Sequence, residues 1–253
     1  MSLTVDIADH IARIHWDSPA PRQAFTRDLW RDLGDAVQRV SDNPDVRMVW
    51  LFSDSSVAFS AGADIREFPT HRFNAQDARA YHTLTENTVR RLMNCPKPTL
   101  AILRGYVVGG GVEIATACDL RVADETARFA VTPAKLGIAY GPLPSALLAQ
   151  LVGPAHAKDL LFSGRLIEAT EAQRMGLVNW IVNHEQLWDW VLDYSRRVVD
   201  NDPAAIALMK TMLHDWGRRW TATEEEAWES RTSQLADNDN YRRRVQRFLH
   251  SED

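Results

Sequence analysis

The sequence has few cysteines and no arrangement of residues typical of a metal site. Its two cysteines, Cys95 and Cys118, lie in apolar stretches and lack metal-ligand spacing. Such residues are more often buried free thiols in a reducing compartment than partners in a disulfide. The histidines and acidic residues form no cluster with metal-ligand spacing either, so we expect metal-free chemistry.

The sequence also lacks an excess of positive charge. Its 253 residues include 29 Lys and Arg against 34 Asp and Glu, which gives a formal net charge of -5. The basic run at 242–244 is short and follows Asp237 and Asp239. Because nucleic-acid binding needs a basic face, we expect no nucleic-acid partner.

Long apolar runs are absent as well. Residues 1–15 include Asp6, Asp9 and His10, and contain no apolar run long enough for a signal peptide or a membrane span. We therefore expect a cytoplasmic protein with no membrane partner. Hydrophobic residues make up 45% and charged residues 25% of the sequence, as in ordinary globular proteins, and the length allows one large domain or two small ones.

What the sequence does contain is two glycine-bearing segments, 59–65 (FSAGADI) and 105–113 (GYVVGGGVE). Each follows an apolar run, which predicts a strand that ends in a turn with free backbone N–H groups. Two such groups facing one oxygen form an oxyanion hole. The apolar stretch after the second segment predicts a helix with Glu113 in its first turn, where a carboxylate is placed to move a proton. Taken alone, the glycines at 109–111 are also typical of a tight turn that packs a helix against a strand.

Hydrophobic patterning predicts that strands and helices alternate over most of the chain. The predicted elements are a hairpin of 4–7 and 11–16, a helix capped by Thr26 and ending at Val40, a strand at 46–52, a helix at 74–93, and strands at 120–123 and 128–131. Strand, loop and helix recur at a regular spacing, so the fold class is α/β with repeated ββα units.

From about residue 203 the pattern is helical without strands, at 203–216, 222–236 and 241–249. Trp216, Trp220 and Trp228 fall in this region. Large aromatic side chains are typical of a helical lid and of subunit interfaces, so we expect these tryptophans to anchor both.

Several pieces of the sequence together resemble the enoyl-CoA hydratase/isomerase family, also called the crotonase family. They are the two glycine segments, the tetrapeptide Arg22-Gln23-Ala24-Phe25, residues 132–137 (TPAKLG), residues 164–179, and the stretch from Asp202 to Lys210. The resemblance implies a crotonase-like superhelix of ββα units over 1–200 and a C-terminal helical lid and oligomerisation segment over 201–253. It also implies an acyl-CoA substrate, coenzyme A as part of that substrate with no permanently bound cofactor, and a homotrimer or homohexamer.

The resemblance further assigns roles to single residues. The backbone N–H groups of Ala63 and Gly110 match the family's oxyanion hole, and Glu113 matches its first catalytic glutamate. Loop 61–66 resembles the segment that holds the adenine end of coenzyme A. The residues so implied in binding coenzyme A or the acyl group are Ala61, Asp64, Ile65, Arg66, Gly109 and Thr132. Asp64 is also placed to cap a helix that begins near Ile65, and we favour that role over direct chemistry.

Cations are expected near the phosphates of such a ligand. Arg22, Arg66 and Lys210 are the candidates, because a phosphate-rich ligand on an acidic protein needs local positive charge. Each is explained equally well as a solvated surface charge. His71 and His82 follow the first glycine segment, and we predict that they lie on a surface helix and do not act as acids.

One position departs from the family pattern, because Ala134 stands where the family has its second catalytic glutamate. Hydration of a double bond in that family uses two carboxylates that share one water. Since Glu113 is the only one of the two present, we predict an isomerase or a weak hydratase.

Residues 132–140 resemble methylmalonyl-CoA decarboxylase, a member of the family that also lacks the second glutamate. In a decarboxylase of that type, Tyr140 would contact the departing carboxylate or protonate the enolate. That enzyme has a histidine where this chain has Ala63, and Tyr140 is also explained as a half-buried loop aromatic. Decarboxylation is thus an alternative reaction, and a non-catalytic acyl-CoA-binding subunit is the alternative from another class.

Overall fold

The computed structural model describes residues 3–214, 221–237 and 239–249. The chain begins with the predicted hairpin, in which β1 (Leu3–Ala8) pairs antiparallel with β2 (Ile11–Trp16). Helix α1 (Arg27–Asp42) follows, and the Thr26 side chain accepts a hydrogen bond from the backbone N–H of Leu29 at its N-terminus. The apolar face predicted from the spacing is buried in the structure.

The later elements alternate strand and helix, as the patterning predicted. They are β3 (Met48–Ser53), β4 (Ala58–Ser60), α2 (Phe68–His71), α3 (Ala75–Met93), β5 (Thr99–Leu103), β6 (Tyr106–Val108), α4 (Gly110–Ala117), β7 (Leu120–Asp124), β8 (Arg128–Ala130), α5 (Pro142–Ser163), β9 (Ile167–Glu168), α6 (Ala169–Arg174), β10 (Trp180–Val182), α7 (Leu187–Val199), α8 (Pro203–His214), α9 (Ala222–Gln234) and α10 (Asp239–Leu249). Two short 3-10 helices, Ile65–Glu67 and Pro133–Leu136, lie in the loops after β4 and β8.

The strands form two sheets that the chain visits in turn. The six-stranded sheet has the order β1-β2-β3-β5-β7-β10, and the four-stranded sheet has the order β4-β6-β8-β9. Strands β3, β5 and β7 are parallel in the first sheet, and β4, β6 and β8 are parallel in the second. Each turn of the chain adds one strand to each sheet before a helix or loop returns it, so the predicted superhelix of ββα units is confirmed.

Aromatic packing fixes the strand that leads into the first glycine segment. The ring of Trp16 on β2 lies 5.1 Å from that of Phe25 and 4.9 Å from that of Phe59. Its indole N–H donates a 2.9 Å hydrogen bond to the carbonyl of Phe59. All three side chains are fully buried. Because buried aromatic side chains each remove a large apolar area from water, this cluster holds β4 rigidly beside the hairpin.

A second, smaller apolar cluster lies against the six-stranded sheet. It joins β3 to α7 through Trp50, whose indole N–H donates a 2.8 Å hydrogen bond to Ser195 Oγ. Both cysteines are buried free thiols, as predicted, and burial raises the pKa of Cys118 to about 12.

The C-terminal region is helical, as predicted, with α8, α9 and α10 in the described residues. Trp228 is half-buried on α9, whereas Trp216 and Trp220 lie outside the described residues. None of the helices in the described ranges combines the length and the apolar character that crossing a membrane requires.

Candidate active site

A cavity lies where the two glycine segments, helix α3 and loop 132–141 meet. Residues that the sequence singled out form much of its lining, namely Ala61, Ala63, Ile65, Gly109, Gly110, Glu113, Thr132 and Tyr140. These residues come from parts of the chain that are far apart in sequence. The fold therefore gathers most of the predicted site in one place.

The two glycine segments touch backbone to backbone. Gly62 has φ of +90°, and a Cβ atom at this position would lie 2.9 Å from both the backbone nitrogen of Gly110 and the carbonyl oxygen of Val108. A Cβ atom on Gly110 would lie 2.8 Å from the indole ring of Trp30. Only glycine allows so close an approach without a shift of the backbone.

The close approach leaves two backbone donors free beside each other in the cavity wall. Gly110 is the first residue of α4, where N–H groups have no partner inside the helix. Among the described atoms, neither the N–H of Ala63 nor that of Gly110 has a hydrogen-bond acceptor. Both residues line the cavity, so both N–H groups are available to an oxygen bound there.

The segment around Phe25 fixes the loop that carries Ala63. The N–H of Phe25 donates to the carbonyl of Gly62 at 2.7 Å, and the N–H of Asp64 donates to the carbonyl of Phe25 at 2.9 Å. The N–H of Ala61 donates to the carbonyl of Arg22 at 2.9 Å. These bonds hold the residues on both sides of Ala63 while its own N–H stays free.

Glu113 lies in the first turn of α4, half-buried in the cavity wall. Its carboxylate accepts no hydrogen bond from any described atom. Removal from water raises the pKa of Glu113 to about 7, against a smaller opposite effect of the nearby Arg72 cation. A carboxylate with this pKa can both take up and release a proton near neutral pH.

Tyr140 lies beside the N-terminus of the same helix. Its hydroxyl donates a 3.1 Å hydrogen bond to the carbonyl of Gly109. Burial raises the pKa of Tyr140 well above its ordinary value, and the charge of Glu113 adds to this effect. The phenol is therefore neutral at physiological pH, and its one O–H proton is donated to Gly109.

Position 134, where the resembled family has its second glutamate, lies at the rim of the cavity. Thr132, Pro133 and Leu136 line the cavity, whereas Ala134 between them is exposed and is not a lining residue. No described carboxylate other than Glu113 lines the cavity.

The four remaining predicted binding residues lie outside the cavity lining. Asp64 is buried, accepts a hydrogen bond from the backbone N–H of Arg66, and forms a 2.6 Å ion pair with the Arg66 side chain, which lowers the pKa of Asp64. It caps the helix Ile65–Glu67 as predicted. Arg22 is exposed, with its guanidinium 5.0 Å from the ring centre of Tyr106. Lys210 is 12% exposed and pairs with Asp119 at 2.6 Å.

Several lining residues were not predicted from the sequence. Trp30, Tyr81 and Arg72 line the cavity, and none belongs to a recognisable motif. His82 also lines it, although the sequence placed this residue on a surface helix. The Nε2 atom of His82 lies 3.2 Å from a carboxylate oxygen of Glu86, which is also on α3. The His82 side chain therefore lies where the cavity meets the protein surface.

Comparison with known proteins gives consistent matches over the chain. Residues 6–253 match the family model described as enoyl-CoA hydratase/isomerase. The crotonyl-CoA hydratase of Syntrophomonas wolfei is 31% identical over 214 residues, which cover 85% of this chain and 82% of that protein. The (E)-benzylidenesuccinyl-CoA hydratase of Thauera aromatica is 29% identical over 210 residues, covering 83% of this chain and 81% of that protein.

Solved structures show the same architecture. An enoyl-CoA hydratase/isomerase family protein from Hyphomonas neptunium superposes with a TM-score of 0.93 at 32% identity, covering 99% of this chain and 95% of that one. An enoyl-CoA hydratase from Bacillus anthracis superposes with a TM-score of 0.91 at 26% identity, covering 99% and 97% of the two chains. The crotonase-like fold predicted from the sequence is thereby confirmed.

Proposed function

Because the chain belongs to the enoyl-CoA hydratase/isomerase family, we propose that it binds an acyl-CoA thioester in this cavity and stabilises the enolate of that thioester. The observation that supports this most is the grouping of two backbone N–H groups, on Ala63 and Gly110, that have no acceptor in the described part of the chain, with a carboxylate whose pKa is raised to about 7. Coenzyme A enters only as part of the substrate.

The proposed chemistry begins at the thioester carbonyl. Its oxygen accepts hydrogen bonds from Ala63 and Gly110, and these bonds strengthen as negative charge develops on the oxygen. The partial positive charge at the N-terminus of α4 acts in the same direction. Glu113 takes a proton from the carbon next to the carbonyl and forms the enolate. The same carboxyl then returns the proton to that carbon or to the γ carbon.

The number of carboxylates favours isomerisation over efficient hydration. Adding water needs one group to take a proton from the water and another to supply a proton to carbon. Glu113 is the only carboxylate among the described lining residues, and Ala134 cannot replace the second one. Moving a double bond needs only one such group, so isomerase or weak hydratase activity fits the site best. The names of the relatives include hydratases for different acyl groups, and family membership alone therefore leaves the acyl group open.

Decarboxylation of a malonyl-type thioester is the second candidate. It is favoured by Tyr140, a neutral phenol that lines the cavity beside Gly109 and close enough to Glu113 to feel its charge. After loss of carbon dioxide the same N–H groups would hold the enolate, and Tyr140 would protonate it. A non-catalytic binding subunit is less well supported, because such a protein has no need of a carboxylate with a raised pKa.

Coenzyme A is proposed to lie along loop 61–66, with its adenine end held mainly by main-chain groups. Ile65, in this loop, is 57% exposed, which leaves an apolar surface for an adenine ring. Arg22, Arg66 and Lys210 are the proposed phosphate contacts.

A homotrimer or homohexamer is proposed for the assembly. Sedimentation equilibrium measures the mass of the assembly and so the number of subunits.

One experiment separates the candidate reactions. The protein is incubated in deuterated water with 2-enoyl, 3-enoyl, 3-hydroxyacyl and malonyl-type CoA thioesters, and the products are analysed by mass spectrometry. An isomerase interconverts the 2-enoyl and 3-enoyl thioesters with deuterium uptake. Water addition identifies a hydratase, and loss of carbon dioxide identifies a decarboxylase. Binding with no change in any thioester would contradict the proposed chemistry.

A further inference from the structure

The cavity contains a polar patch that the proposed chemistry does not use. It consists of the side chains of Arg72, Tyr81 and Trp30, and we call it the arginine patch. The three residues come from different helices or their ends, namely α1, α3 and the C-terminus of α2. All three residues line the same cavity as Glu113.

Arg72 carries a positive charge near Glu113 and lowers the pKa of that carboxyl. Its guanidinium carbon lies 4.8 Å from the ring centre of Phe68 and 5.1 Å from that of Tyr81. Among the described residues, Arg72 forms no side-chain hydrogen bond and no ion pair. The two rings lie at 73° to each other, so the planar guanidinium group is parallel to at most one of them. Cation–π contacts of this kind supply no oxygen acceptor for the N–H groups, so an anion bound in the cavity can still accept hydrogen bonds from Arg72.

The other two members of the patch carry unsatisfied buried donors. Tyr81 is 3% exposed and Trp30 is 1% exposed, yet neither the Tyr81 hydroxyl nor the Trp30 indole N–H has a hydrogen-bond partner among the described atoms. The indole N–H lies near the Tyr81 hydroxyl and slightly favours its ionised form, but the pair does not reach hydrogen-bonding geometry. Burial raises the pKa of Tyr81, so its hydroxyl stays neutral and able to donate.

We propose that the arginine patch binds a second carboxylate on the acyl chain, so that the preferred substrate is the coenzyme A monothioester of a dicarboxylic acid. This inference rests on the proposed function, because that function places the acyl chain in this cavity. A carboxylate accepts two N–H bonds from a guanidinium group and has lone pairs left for the hydroxyl and the indole. A plain alkyl chain would instead leave the Arg72 cation without a partner when it excludes water from the cavity.

A carboxylate held by Arg72 also bears on the type of reaction. A cation that stabilises the bound carboxylate lowers the energy of the ground state and opposes its loss as carbon dioxide. The arginine patch therefore favours proton transfer on a substrate that keeps its carboxylate throughout the reaction.

Binding of saturated thioesters tests the patch without depending on turnover. The monothioesters of succinic, glutaric and adipic acid are compared by calorimetry with their neutral methyl esters. We expect at least one acid to bind about tenfold to a hundredfold more tightly than its ester, the usual value of hydrogen bonds to a charged group. Arg72→Met should remove most of this preference. Arg79→Met removes the same charge from the exposed surface of α3 and is the matched control, which should keep the preference.

Two results would overturn the inference. One is equal affinity of the unmodified protein for every acid and its ester. The other is an equal loss of affinity for acids and esters in Arg72→Met, since that pattern would place Arg72 on coenzyme A itself. If deuterium exchange occurs but no acid is preferred, the inferred carboxylate site is wrong and the proposed chemistry stands. If an acid is preferred but no thioester reacts, the inferred carboxylate site stands and the proposed chemistry is wrong.

Tyr81→Phe provides a second variant that tests the same inference through stability. Removing a buried hydroxyl that has no partner among the described atoms should leave the stability of the free protein unchanged or raise it. The same change should reduce the preference for the acid about threefold to tenfold, the effect of one hydrogen bond. A loss of stability with an unchanged preference would show that the hydroxyl is structural and would count against the patch.

Discussion

Glu113 owes its properties to its surroundings and to its place at the start of α4. Its carboxylate is removed from water, accepts no hydrogen bond from a described atom, and feels the charge of Arg72. With a pKa of about 7, both the protonated and the ionised form are populated at neutral pH. The sequence alone predicted the carboxylate and its place in the first turn, because both follow from the glycine segment before it. The pKa depends on burial by distant segments and could not be predicted.

The raised pKa predicts the pH dependence of the reaction. The free enzyme needs ionised Glu113 to take a proton, so kcat/KM should rise with pH through an apparent pKa of about 7 and then level off. Initial rates with a reactive thioester from about pH 5 to about pH 9 measure this. A flat profile over that range would remove Glu113 from the role of base.

The same pKa predicts how stability depends on pH. Between the ordinary value of 4.5 and about 7, the folded protein holds a proton that the unfolded chain does not. The stabilisation from this group is therefore fully present below the ordinary value and is lost as the pH rises through about 7. Glu113→Gln has no such loss. The free energy of unfolding of Glu113→Gln, minus that of the parent, should therefore rise by about 1 to 3 kcal/mol when the pH is raised from about 5 to about 8. Urea unfolding at both pH values measures the change, and an equal difference at both would contradict the assignment.

At the scale of the elements, the contact between the two glycine segments creates the proposed oxyanion hole. Both segments were identified from the sequence because each follows an apolar strand and contains glycine. The hydrogen bonds that hold the first of these segments were harder to foresee. They come from Phe25, which precedes α1 and bonds to the residues before and after Ala63. Arg72 and Tyr81 were missed because no local pattern marks a side chain that becomes part of a cavity only through packing.

A pair of substitutions at Gly110 tests the donor itself. Gly110→Pro removes the N–H, and proline is tolerated at the first position of a helix. Gly110→Ala keeps the N–H and serves as the control, because its Cβ atom makes the same close contact with the Trp30 ring, at 2.8 Å. We expect turnover of Gly110→Pro to be about a hundredfold or more below that of Gly110→Ala. Equal turnover of the two variants, with matching circular dichroism spectra, would exclude Gly110 as a donor.

At the scale of the whole molecule, the sequence was sufficient to predict the fold, because the same strand, loop and helix pattern recurs along the chain. The attachment of the C-terminal helices to this core was not predicted. Lys210 on α8 forms a 2.6 Å ion pair with Asp119 and donates a 2.9 Å hydrogen bond to the carbonyl of Lys97. These bonds join α8 to the segments around β5 and β7, which gives Lys210 a structural role in addition to the proposed phosphate contact.

Two variants separate these roles. If the ion pair mainly holds α8, Lys210→Met and Asp119→Asn should each lower the free energy of unfolding by about 1 to 3 kcal/mol, the cost of leaving a partner unpaired. Because Asp119 is not a phosphate ligand, only Lys210→Met should also weaken the binding of coenzyme A, measured by calorimetry. Equal affinities for coenzyme A in the two variants would leave Lys210 with the structural role alone.

In the proposed function one carboxylate, Glu113, moves the proton of a thioester whose enolate is held by Ala63 and Gly110. The most direct measurement is the rate of deuterium uptake into a 3-enoyl-CoA thioester in deuterated water, for the parent and for Glu113→Gln at saturating thioester. We expect a rate at least about a hundredfold lower in Glu113→Gln, with the affinity for a saturated thioester close to that of the parent. A rate in Glu113→Gln equal to that of the parent would show that Glu113 does not move this proton.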